Sequence, residues 1–139
     1  MEAENKITNK KFPPLTDEEE RIGKAIVNAA YKVHSTLGPG LLEKVYDVCF
    51  CHVLVQAGFN VKRQLAVPIQ FEGFIFDEGL KLDVMVNDLV ICELKAIETV
   101  NPVWEAQLLS HLALTKRRLG YLINFNVPLV KNGIKRMIL

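Results

Sequence analysis

Two acids and an amine stand close together in an otherwise apolar stretch, Asp83, Glu93 and Lys95 within residues 80–95. Glu93 and Lys95 are two apart, so on a strand their side chains leave one face while Val90, Cys92 and Leu94 leave the other. Leu89 and Ile91 share the charged face, which therefore starts apolar and ends ionic. An ionised group beside such a surface is costly unless it is paired or metal-bound. Two carboxylates a few ångströms apart form an oxygen-rich site for a hard cation such as Mg²⁺. A neighbouring ammonium could position a water, help deprotonate it, or stabilise developing negative charge. That is hydrolytic chemistry on a phosphodiester. The plain alternative is a surface ion pair of Lys95 with Glu93 or Asp83, worth little energetically, and the tripeptide E-x-K taken alone favours it.

The elements decide whether these groups can meet. Leu80, Leu82, Val84 and Val86 alternate with Lys81, Asp83 and Met85, a strand that turns at Asn87-Asp88 into a second strand, Leu89 to Lys95. A two-residue loop would set Asp83 opposite Cys92 and send the two carboxylates to opposite faces. A three-residue loop, or one bulged residue, sets Asp83 opposite Glu93, beside Lys95. Joint action requires the second register.

Upstream, Thr16 with Glu19 is a capping-box signature, and Ile22, Ile26, Ala29 or Ala30, Val33 and Leu37 recur at helical spacing until Gly38-Pro39-Gly40. A second helix is expected from about Leu41 to Gln56, with Leu41, Val45, Val48 or Cys49, and His52 or Val53 inward and Gly58 past its end. From Val61 the period changes to two, with Leu65, Val67, Ile69 and Phe71 on one face of a strand at an edge near Pro68. Turns are marked by Glu72-Gly73 and Asp77 to Gly79. Asn101-Pro102 starts a helix running to about Lys116. Leu119 to Phe125 reads as a strand buried on both faces and reached by a helical crossover, and Ile134 to Ile138 as a last strand. The sum is an α/β fold, a sheet with helices packed on it.

The chain has 139 residues, half apolar and about a quarter charged, which suits one domain over residues 16–139 after a mobile polar tail, 1–15. No window approaches a membrane span, no export signal opens the sequence, and Cys49, Cys51 and Cys92 cannot form a complete disulfide set, so a cytoplasmic, reduced protein is expected. Cys49 and Cys51 also lie on different helix faces with no zinc-ligand partners. Phosphate-loop, dinucleotide and serine-hydrolase motifs are absent. Phe71, Phe74 and Phe76 read as packing on the sheet, with base stacking as the alternative.

The net charge of +1 is unevenly spread: residues 1–20 carry −3 and the rest +4, with no acid after Glu105. That last stretch holds Lys116, Arg117, Arg118, Lys131, Lys135 and Arg136, compatible with a phosphate backbone and equally with a solvated face.

Gly40-Leu41-Leu42-Glu43-Lys44-Val45-Tyr46 matches the signature of the GxxExxY proteins, a branch of the PD-(D/E)XK nuclease-like superfamily. His34 and Leu37-Gly38-Pro39-Gly40 lead into it, Leu82-Asp83 and Glu93-Leu94-Lys95 match the acidic and E-x-K motifs, and Gln107 and Asn124-Phe125 follow in order. The chain resembles this family from about Glu20 to its C-terminus. The resemblance implies a restriction-endonuclease-like core with a mixed central sheet flanked by helices. It implies that Asp83, Glu93 and the main-chain carbonyl of Leu94 hold Mg²⁺ or Mn²⁺, that Lys95 serves the attacking water, and that Glu43 faces the same site. The substrate would be nucleic acid, DNA before RNA. A non-catalytic nucleic-acid-binding or assembly module that kept the fold is the competing reading. With its small size and modest charge, the chain would need a second copy or a protein partner to grip a substrate.

Glu43 also suits a role at its helix start, third in the helix if Gly40 is the cap. Tyr46 could contact a phosphate or pack as a half-buried core tyrosine. Gln107 and His111 are four apart and share a helix face with Trp104. Related nucleases carry Tyr where this chain has His111, so the role of Gln107 carries over and that of His111 does not. Lys81, Lys116, Arg117 and Arg118 are expected to meet phosphates, with solvation as the alternative.

Overall fold

The computed structural model describes residues 13–139. Helix α1, Asp17–Leu37, starts with the expected capping box: Thr16 Oγ1 accepts from Glu19 N–H at 3.1 Å and Glu19 Oε1 accepts from Thr16 N–H at 2.8 Å. Its apolar stripe, Ile22, Ile26, Ala29, Ala30 and Val33, is buried as the spacing requires. Helix α2 spans Glu43–Gln56. The strands are β1 Val61–Ala66, β2 Ile69–Phe71, β3 Phe74–Phe76, β4 Lys81–Val86 and β5 Val90–Lys95. Helix α3, Val103–Thr115, strand β6, Leu119–Asn124, a 3₁₀ turn at Val130–Gly133 and strand β7, Ile134–Ile138, complete the chain.

Five strands form one sheet in the order β1-β4-β5-β6-β7, antiparallel except for the β5–β6 pair, and β2 and β3 form a separate hairpin. Helices α1 and α2 cover one face, where Ile22, Ile26, Tyr46, Phe50 and Leu54 pack on Val84, Val90, Cys92, Tyr121 and Phe125. Helix α3 covers the other, where Trp104, Leu108 and Leu112 meet Leu82, Met85, Ile91 and Leu122. The expected α/β architecture is what the chain adopts. β6 is buried along its whole length, as a strand between two helical layers must be.

Three expectations need correction. Helix α2 turns Tyr46, Asp47, Phe50, Cys51 and Leu54 inward and leaves Leu41, Val45 and Val48 exposed. The helix is apolar nearly all round, so periodicity did not mark the buried side. The single strand expected from Val61 to Phe71 breaks at Val67-Pro68, and its second half pairs with β3, an element too short for alternation to reveal. The polar tail expected over 1–15 lies outside the described residues as far as residue 12; beyond that the Pro13 and Pro14 carbonyls accept from the Arg118 guanidinium, which holds this end of the segment to the fold.

Candidate active site

The register of the β4–β5 hairpin pairs Val84 with Cys92 and Val86 with Val90, leaving three residues in the loop. Asn87 and Asp88 both take left-handed backbone conformations (φ 52° and 53°), and Leu89 N–H closes the turn on the Val86 carbonyl at 3.0 Å. Leu89 is thus the extra residue that sets Asp83 across from Glu93. A second irregularity acts on the other edge of β4. Gln64, in mid-strand, has φ 51°, and Leu82 packs under α3 although Val84, two residues on, packs under α2. Side chains two apart on a regular strand share a face, so β4 changes face at Asp83.

The two carboxylates meet at this point. Leu94 N–H donates to Asp83 Oδ2 at 3.0 Å, and Asp83 N–H lies 3.4 Å from Glu93 Oε2. Glu93 is 9 % exposed. Burial and the neighbouring Glu93 charge push the Asp83 carboxyl up to about 6, against the pull of the Leu94 N–H and Lys95. Lys95 Nζ lies 5.0 Å from the centre of the Trp104 ring and makes no ion pair among the described residues, so the surface-pair alternative does not hold.

Glu43 is the first residue of α2, with Leu42 as the cap, so it does not take the third-position capping role. Its carboxyl is raised chiefly by partial burial, lowered by Lys95, and raised further by Asp47 and Glu93, which places it within electrostatic reach of the sheet's acids. On α3, Trp104 faces Lys95 and His111 faces Glu93, with Nδ1 3.5 Å from Oε2. Gln107, exposed, lies between them along α3 at a spacing that shares their helix face. Lys81 opens β4 at the same end and is exposed.

The remaining expected binding residues are not brought there. Tyr46 is fully buried: its ring stacks on Phe125 at 4.7 Å, its hydroxyl donates to the Gly38 carbonyl and accepts from Leu41 N–H, and it offers nothing to a phosphate. Lys116, Arg117 and Arg118 precede Leu119, which pairs with Val90, whereas Lys95 pairs with Asn124. Five residues of strand, roughly 17 Å, separate the two ends. Arg117 is tied to the Asp88 and Thr115 carbonyls, and Arg118 to those of Leu139, Pro14 and Pro13.

Two supporting residues complete the surroundings: Asp47, which the sequence did not single out, and Asn124, which it did. Asp47, one turn after Glu43, is buried and held by Arg63 at 3.1 Å and by the Cys51 thiol at 3.4 Å. Its spacing of four from Glu43 was the available signal. Asn124, the one polar side chain in an apolar strand, clasps Ile97 through both amide atoms and so fixes the chain just after Lys95. The thiols take no part: burial pushes Cys51 up to about 12 and Cys92 well above the ordinary range, so neither forms the nucleophilic thiolate.

Among the described residues no three Asp, Glu, His or Cys side chains are grouped to hold a metal ion. The donor chemistry nevertheless fits Mg²⁺ or Mn²⁺, because such ions take one or two carboxylates and complete their shell with water and substrate phosphate. A buried acid and a half-buried one with too little compensating charge are the kind of site such a cation neutralises. No helix of the described residues is long and apolar enough to cross a membrane.

A mixed sheet between helices, with an acidic pair at one end of a central hairpin, has the architecture of a PD-(D/E)XK nuclease-like fold. The family model described as the PD-(D/E)XK nuclease superfamily matches residues 20–137, and the chain belongs to that superfamily. No curated protein and no solved structure matches it.

Proposed function

We propose that this protein is a divalent-metal-dependent nuclease of the GxxExxY branch that hydrolyses phosphodiester bonds of nucleic acid, DNA in preference to RNA. The observation that carries the reading is the meeting of Asp83 and Glu93 with Lys95 nearby, produced by two local backbone irregularities. Asp83, Glu93 and the Leu94 carbonyl are the groups that would hold Mg²⁺ or Mn²⁺, with Glu43 the acid nearest them on α2. When bound, the ion supplies Lewis-acid charge for the developing phosphate negative charge. Lys95, seated over the indole and without an ion pair among the described residues, orients the attacking water and offsets that charge. Water oxygen bonds to phosphorus as the water gives up a proton, the phosphodiester P–O bond breaks, and the leaving oxygen takes up a proton in exchange, so that one water is consumed. Gln107 and Lys81 border the approach and contact the nucleic-acid backbone.

One observation favours the second reading, a non-catalytic binding or assembly module: the Lys116–Arg118 cluster stands at the far end of the sheet, and its two arginines are committed to backbone carbonyls. A nuclease built this way grips its polyanion with cations supplied by a second copy or a protein partner. Calorimetric titration with Mn²⁺ and cleavage of labelled single- and double-stranded DNA, in wild type, Asp83→Ala and Glu93→Ala, test the proposal. Wild type is expected to bind and cut, and both variants to do neither. A folded wild type that binds no metal leaves the module.

A further inference from the structure

His111 Nδ1 is buried and has no hydrogen-bond partner among the described residues. The polar atom facing it is Glu93 Oε2 at 3.5 Å, and the two side chains are 18 % and 12 % exposed. Buried ring nitrogens are paired in almost every folded protein, so an orphan beside a carboxylate needs a reason. Glu93 is itself weakly held, its Oε2 receiving only the long 3.4 Å contact from Asp83 N–H. Closing the gap by a few tenths of an ångström would satisfy both groups. Helix α3 is anchored on either side of His111 by Leu108 and Leu112, both fully buried, which holds the backbone that carries the imidazole in place.

We propose that His111 is a positioning residue: its Nδ1–H donates to Glu93 Oε2 and fixes the orientation in which that carboxylate meets the cation. This rests on the metal-dependent reading of the site for its consequence, but the hydrogen bond itself belongs to the metal-free protein. Partners of this kind typically change metal affinity 10–100-fold. Asn at 111 can present an amide N–H close to the place of Nδ1, whereas Leu fills the volume and donates nothing.

Two measurements test it. Nitrogen-15 NMR of the metal-free wild type is expected to find His111 Nδ1 protonated, with that tautomer preference lost in Glu93→Ala; an unprotonated Nδ1 overturns the proposal. Calorimetry with Mn²⁺ is expected to find His111→Leu weakened about 10–100-fold and His111→Asn restored to within a few-fold of wild type. Equal affinity in all three proteins, or Asn as poor as Leu in folded variants, overturns it, the latter by making the nitrogen a direct ligand. A wild type with the Nδ1 proton in place but no affinity for Mn²⁺ refutes the metal-dependent reading and the positioning consequence, while leaving the hydrogen bond standing.

Discussion

Replacing Asp83 by Asn should stabilise the metal-free protein while destroying its affinity for a divalent cation. The carboxyl sits at about 6 rather than near 3.8 because burial and Glu93 both disfavour its charge. A displacement of that size corresponds to about 3 kcal/mol at neutral pH, and partial exposure with solvent screening reduces it to about 1–2 kcal/mol. Because the folded state holds this proton more tightly than the unfolded chain, the penalty is fully present above about pH 6 and fades as pH falls towards 4. Asn removes the charge and keeps an oxygen to accept from Leu94 N–H, so the hairpin's closing contact survives. Thermal unfolding in a chelating buffer at pH 7.5 should therefore place Asp83→Asn about 4–8 °C above wild type. The gap should shrink as the buffer is taken towards pH 4. Excess Mn²⁺ should raise the wild-type midpoint and leave the variant's unchanged, because only a state that binds the ion gains from it. A variant less stable than wild type in the chelator, or a gap independent of pH, would refute the charge argument.

Gln64 occupies a left-handed backbone conformation in the middle of β1, opposite the point where β4 changes face. Gln64→Gly should be neutral or stabilising by up to about 1 kcal/mol, and Gln64→Val, a better strand former by propensity, should destabilise by more than about 1 kcal/mol in urea unfolding; a stabilising Val would show that no such strain exists. Arg117→Ala and Arg118→Ala should each lower the thermal midpoint, because they remove links from Arg117 to Asp88 and from Arg118 to the Pro13-Pro14 segment. Lys116→Ala should leave both the midpoint and the salt dependence of nucleic-acid binding unchanged, and a salt slope flattened by about one unit would return Lys116 to the binding surface.

How much of this could be read in the sequence depends on which interactions are local. The capping box at Thr16 and the doubly buried β6 depend on near neighbours or on strong composition and are found as the sequence predicts, while α3 starts one residue later than expected, with Pro102 as its cap and Asn101 Oδ1 accepting from Val103 N–H. The hairpin register was legible only as a condition. Asn and Asp both tolerate left-handed conformations, and nothing in the letters N-D-L says whether Leu89 pairs or bulges. The inward face of α2 and the burial of Tyr46 depend on long-range packing: the phenol's partners are backbone atoms of the Gly38–Leu41 turn, invisible to any pattern of residue types.

The basic cluster teaches a different lesson, because its position follows from topology. A helix that joins two parallel strands starts where the first strand ends and must return to where the second begins. Residues early in α3, such as Trp104 and Gln107, therefore lie by the C-terminal end of β5, with Glu93 and Lys95. Charges after its last turn arrive at the opposite end, whatever their density. Once β5-α3-β6 is recognised as a crossover, Lys116–Arg118 fall at the Val90 end of β5 rather than at its Lys95 end. Among the described residues, Lys81 and Lys95 place positive charge at the end of the sheet that holds Asp83 and Glu93.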